Sequence, residues 1–226
     1  MVNVKRAPKR VSKSKWPDLK TKFLRSKTIQ IDVGKKKESF TVHEQLIFAS
    51  SPFFKAAFTG KWKESKERII SLPQDDPDAF AIYAHWLYYK TIPEHDDFNA
   101  GTMTTLVKAY IMGDKILDRS FQNKVIDRIY NTGVALGKDG TRYVPDCGSI
   151  ALAYEETPPD SLLRLLLIDL WTKNVKACWI PDDWLDKVPS DFAIALIRRL
   201  AGVQKVQKRK LDITAEDYHL PAEPAS

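Results

Sequence analysis

The side chains in this chain that are most able to do chemistry are few, and their spacing does not suit catalysis. Four histidines, His43, His85, His95 and His219, do not recur at steps that would set two of them on one metal ion. No His-Glu-x-x-His run, paired-cysteine run or His–Cys set accompanies them. His43 instead reads as a hydrogen-bonded structural histidine. The two cysteines, Cys147 and Cys178, lie far apart and read as reduced thiols of an intracellular protein. The acidic pairs Asp75-Asp76, Asp96-Asp97 and Asp182-Asp183 each sit beside a proline or a turn, where capping and solvation explain them more simply than proton transfer. The glycines of VALGKDGTR lack both the spacing of a phosphate cradle and a strand before them. Ser50 and Ser51 have no flanking glycines to form a nucleophile elbow. These residues predict no enzyme, no cofactor, no metal site and no small-molecule substrate, which leaves binding as the expected work of the chain.

The elements that must carry a binding surface can be read from periodicity. Thr28 to Val33 alternates, with Ile29, Ile31 and Val33 on one side, and Phe40 and Val42 continue an inward face after the polar turn Gly34-Lys35-Lys36-Lys37. From Glu44 the period changes: Leu46, Ile47, Ser50, Phe54, Ala57 and Phe58 recur at helical steps. Pro52 interrupts them, so two short helices are expected, with Gly60 as a stop. Arg68 to Leu72 reads as a strand. Asp76-Pro77-Asp78 reads as a helix start followed by a stripe of Phe80, Tyr83, Ala84 and Leu87. Further stripes run through Leu106, Ala109, Tyr110, Gly113 and Leu117, and through Phe121, Val125, Ile126, Ile129 and Tyr130. Thr132 to Gly148 reads as a loop, and helices are expected over 149–155, 160–173 and 190–200.

Composition narrows the partners. Apolar residues make up 43% of the 226 residues and aromatics 11%, enough for a sizeable core. No apolar run approaches the ~20 residues of a membrane span, and the basic N-terminus lacks the apolar stretch of a secretory signal. The chain is expected in the nucleus or cytoplasm. Its net charge of +7 falls to +1 when the six cations of residues 1–15 are set aside. The basicity therefore belongs to a tail, and a sequence-specific nucleic-acid face is not expected. Lys5, Arg6, Lys9 and Arg10 suit a nuclear-import signal or a weak phosphate-binding arm; they also suit a tail that merely aids solubility.

The order of these elements resembles the BTB, or POZ, domain. The resemblance rests on His43, Leu46, Ile47, Ser51, Pro52, Phe53 and Phe54 after the first hairpin, then on Thr59-Gly60 and Glu64-Ser65. It is continued by Phe80 opening a later helix and Leu87-Tyr88 closing it. It implies an α+β fold: a small three-stranded sheet capped by a cluster of helices, here with a C-terminal helical extension. The expected organisation is a basic tail over 1–25, the BTB domain over 26–133, the helical extension over 134–203 and a charged tail over 204–226. The segment DLW…ACW…WL…PSDFA resembles the region C-terminal to the domain in short BTB proteins of filamentous fungi.

The resemblance also implies partners. BTB domains bind proteins, and those that dock on a cullin-type ubiquitin-ligase scaffold carry an apolar residue, any residue, then Glu after the second helix pair. Trp62 and Glu64 match that pattern, with Phe58 beside it. A tryptophan near a carboxylate joins a large apolar contact to a directional acceptor. The resemblance thus implies a non-enzymatic adaptor or scaffold, with a self-associating nuclear or transcription-regulating protein as the alternative. Lys27 and Thr41 stand where the transcription-factor branch carries a charged pair. Residues 16–25 offer only a turn of helix, with Trp16, Leu19 and Phe23 on one side.

Overall fold

The alternation of Ile29, Ile31 and Val33 becomes the inward face of a strand because all three side chains find the core on the same side of the pleat. The computed structural model describes residues 22–59, 67–94, 100–136, 142–205 and 213–221. Strand β1 (Thr28–Val33) pairs antiparallel with β2 (Glu38–His43), from Thr28 opposite His43 to Val33 opposite Glu38. Gly34 supplies the positive φ of the turn, at 76°, and a Cβ there would lie 3.1 Å from Pro77. Lys37 adopts a second left-handed conformation at 56°.

Helices α1 (Glu44–Ser50) and α2 (Pro52–Thr59) come next, and Ser51 between them is extended. Pro52 enforces that break and then starts α2, where its missing amide hydrogen costs nothing. Strand β3 (Ile69–Leu72) returns to the free side of β1 and pairs with it in parallel, giving the order β2-β1-β3. Parallel neighbours need a long crossover; β2, α1 and α2 all lie in it.

Helices then build the layer over the sheet and its continuation. Helix α3 (Pro77–Tyr89) buries Phe80, Tyr83, Trp86 and Leu87. Asp76 caps it by accepting from the amides of Asp78 and Ala79. Helix α4 (Ala100–Lys115) packs on α3, and α5 (Arg119–Val134) packs on α4. Helices α6 (Cys147–Glu156), α7 (Leu162–Asn174) and α8 (Ser190–Lys205) continue the same packing. The hydrophobic core is continuous from Ile29 to Tyr218. Each fully buried large side chain in it contributes ~1.5–3 kcal/mol from transfer out of water.

Two expectations are corrected. Leu117 does not belong to the α4 stripe: the helix ends at Lys115, Leu117 turns left-handed at φ 60° and is 54% exposed, while Ile116 takes the buried position. The loop expected from Thr132 begins later, because α5 runs on to Val134 and buries Thr132 and Gly133. Gly133 is there for closeness rather than for flexibility. A Cβ on it would lie 2.7 Å from Leu170 of α7, so its absence lets the two helices touch.

The aromatic residues of 169–193 account for one another. Trp171 lies 6.0 Å from Trp179, 5.7 Å from Trp184 and 5.8 Å from Phe192, measured between rings. Residues 213–221 lie within the stretch expected as a charged tail. There Thr214 and Asp217 form a capping box around the turn Ala215–Tyr218, and Tyr218 is buried.

Candidate interaction surface

The motif residues of the α1–α2 break are an internal scaffold. Ser51 is fully buried; its hydroxyl donates to the carbonyl of Ile116 at 2.6 Å and accepts the amide of Phe54 at 3.2 Å. It thereby ties α2 to the end of α4 and caps α2 in place of the backbone. Ile47, Phe54, Phe80 and Leu87 lie in the core, Leu46 is half-buried against it, and Pro52 is exposed. His43 is half-buried at the end of β2. Its Nδ1 lies 2.8 Å from the Tyr88 hydroxyl, which also accepts the His43 amide at 3.2 Å. Phe23 packs edge-on against both rings.

A second polar centre beside this scaffold was not legible as a motif. Asp118 is buried and caps α5 by accepting the amide of Phe121 at 2.9 Å. Its other oxygen accepts the Ser50 hydroxyl and, at 3.2 Å, the indole N–H of Trp86. Burial, and then the Asp118 charge, hold the Tyr83 phenol well above its ordinary value. An aspartate three residues before Phe121 in a helical stripe was the available signal for the cap; its contacts to α1 and α3 had none. Arg164 is likewise structural: it donates to the carbonyls of Tyr154 and Thr157 and stacks over the Tyr154 ring at 4.4 Å.

Phe58, the one residue of the expected cullin contact that is described, is half-buried with its ring 5.2 Å from Phe48. Trp62 and Glu64 lie outside the described residues, as do Gly60, Ser65, His95, Asp96-Asp97, Trp16, Leu19 and the tail cations Lys5, Arg6, Lys9 and Arg10. The chain enters the Trp62 segment from the end of α2 and leaves it at Glu67, just before β3.

A groove of about 700 Å³ runs between the hairpin turn, the loop before α3, and helices α4 and α6. Two ion pairs lie along it: Lys108 pairs with Asp76 at 2.6 Å, and Lys115 pairs with Asp75. Asp75 and Asp76, read as a cap, are thus a cap and an ion-pair ladder. Among the described residues no three His, Cys, Asp or Glu side chains converge on a metal-sized site. No described helix is long and apolar enough to cross a membrane. The hairpin, the Ser51 break between α1 and α2, the parallel strand β3 and helix α3 form one unit with α4. Residues 22–115, which comprise that unit, match the model of the BTB/POZ domain family, and this chain therefore carries a BTB/POZ domain, a module through which proteins bind one another.

Proposed function

We propose that the protein is a non-enzymatic adaptor or scaffold. In this reading its BTB/POZ domain docks on a cullin-type ubiquitin-ligase scaffold through Trp62, Glu64 and the neighbouring face of α2 at Phe58. The observation that carries the reading is the position of the Trp62-Lys63-Glu64 segment. It joins α2 to β3 within the matched domain, and its local sequence has the apolar-x-Glu form. A helical set after the domain, α6 to α8, supports it further, since the same resemblance implies a helical pair in cullin-binding members. The aromatic sequence of 169–193 supports placement among the short fungal BTB proteins.

The test is the light-scattering mass of the purified protein alone and mixed with a cullin N-terminal domain. A co-eluting complex lost on Trp62→Ala or Glu64→Ala is expected. A folded protein that leaves the cullin domain at its own mass would overturn the reading. If that protein also runs as a dimer or larger, self-association becomes the function to pursue.

A further inference from the structure

Residues 213–221 are held against the molecule in the way a bound peptide is held. One polar stripe of α5 reads them. Arg119 donates to the carbonyl of Pro221 at 3.4 Å. Asn123 gives both ends of its amide to Leu220, donating to the carbonyl at 3.1 Å and accepting the N–H at 2.8 Å. Asp127 sits 2.6 Å from the His219 ring nitrogen, and the Tyr130 hydroxyl donates to the carbonyl of Ile213 at 2.6 Å. These four side chains recur at helical steps on one face of α5. Phe121, Val125 and Ile129, which point away from that stripe, and Ile126 beside it are fully buried in the core. Tyr218 of the segment enters the same continuous core.

A single anchor fixes the register. Tyr218 is 1% exposed and donates to Oδ2 of Asp169 in α7 at 2.8 Å. Asp169 is itself buried, and its other oxygen accepts Arg199 Nε from α8 at 2.7 Å. The carboxylate thus has a standing cation and one open acceptor aimed at the phenol. Burial, then the neighbouring carboxylate, hold the Tyr218 phenol well above its ordinary value, so it remains a proton donor. The capping box of Thr214 and Asp217 pre-shapes the turn that delivers the ring. Backbone reading by a side-chain amide, with one buried aromatic anchor, is the chemistry of linear-segment recognition.

We infer that the face formed by α5 and α7 is a docking site for linear peptide segments carrying a tyrosine followed by His-Leu-Pro-like residues, and that residues 213–221 occupy it in cis as an exchangeable latch. The ligand is an unmodified tyrosine segment. A phosphate on the ring would meet the buried Asp169 carboxylate, and a phenylalanine would remove the donor to its Oδ2. The tether through residues 206–212 keeps the chain's own segment at high effective concentration, so an incoming segment competes only when the latch is weakened. The docking site shares no residue with the proposed cullin contact, and its test contains no cullin.

The experiment uses the full chain with a protease site placed within 206–212, cut after folding, and a labelled peptide with the sequence of residues 210–226. The cut protein is expected to keep its circular dichroism spectrum and to bind the peptide saturably. The uncut protein binds it at least about tenfold more weakly because the latch competes. The Tyr218→Phe peptide binds about tenfold more weakly, and the phosphotyrosine peptide does not bind. In the uncut chain, Tyr218→Ala is expected to open the site to the wild-type peptide. Loss of fold on cutting would show that the fold requires the tethered segment and would overturn the inference. Failure of a folded, cut protein to bind would do the same, as would binding indifferent to Tyr218→Phe. An uncut protein of two-chain mass that becomes one-chain on Tyr218→Ala would place the segment on a second copy and overturn the cis latch.

Discussion

The Tyr88 hydroxyl near the end of α3 lies 2.8 Å from Nδ1 of His43 and accepts the His43 backbone amide at 3.2 Å, joining the end of β2 to α3 across 45 residues. The next amide, of Glu44, donates to the Lys27 carbonyl at 2.9 Å, so the His43 amide is the alternate one that faces away from β1. Tyr88→Phe removes both contacts while keeping the ring packed beside Phe23. We expect a loss of about 1 kcal/mol, read as a lower denaturant midpoint at unchanged slope. His43→Ala in the Tyr88→Phe background should then cost less than it does alone, because the shared interaction is already gone.

Asp118 holds three donors from three elements: the Ser50 hydroxyl, the Trp86 indole and the Phe121 amide. Asp118→Ala strands the indole and the amide in a buried place and the Ser50 hydroxyl in a half-buried one. The expected loss is about 2–4 kcal/mol, from an absent cap together with unpaired donors. Near-ultraviolet circular dichroism from Trp86 should change at the same time. A variant within about 0.5 kcal/mol of wild type would mean that water serves these donors equally well.

Gly133 and Leu170 meet where α5 crosses α7. Gly133→Ala adds helix propensity, worth about 1 kcal/mol, yet places a Cβ 2.7 Å from a leucine that is fully buried. Overpacking costs about 1–3 kcal/mol, so the net expectation is destabilisation. In a Leu170→Ala background the clash is gone and the same substitution should stabilise. That reversal of sign in a thermal-melt cycle is the measurement; additive effects would contradict the close contact.

Asp76 predicts an acid-dependent contribution. Burial, the largest influence on its carboxyl, pushes the pKa up. The Lys108 ammonium at 2.6 Å and the amides of Ala79 and Asp78 outweigh it and hold the group below the usual carboxylate value of 3.8. A carboxyl with a depressed folded pKa stabilises fully above its unfolded value and loses that contribution as pH falls through its folded value. Asp76→Asn keeps a capping side chain but loses the charge. It should be less stable by about 0.5–1 kcal/mol near neutral pH, the figure being reduced by solvent at this partly open site. The gap should stay level down to about pH 5 and close below about pH 4. A gap that widens on acidification would contradict the assignment.

The hairpin, the α1–α2 break and the α3 start were legible because each depends on neighbours in sequence. Alternation sorts Ile29, Ile31 and Val33 to one side of a pleat, Pro52 forbids helix continuity at Ser51, and Asp76-Pro77 caps and opens α3 whatever the rest of the chain does. The family motif was readable for the same reason, as its residues lie in short runs. Tertiary structure decided what no local run contains. Ile69–Leu72 pairs in parallel with β1 because the returning chain meets that edge, and Leu117 turns outward because α5 must start at the Asp118 cap. Gly133 proves to be a contact with Leu170, and Tyr218 finds a carboxylate 49 residues earlier in the chain. These last features depend on surfaces that exist only once the helices have packed. Periodicity marks which face of a helix is apolar, but it does not encode which distant residue completes that face.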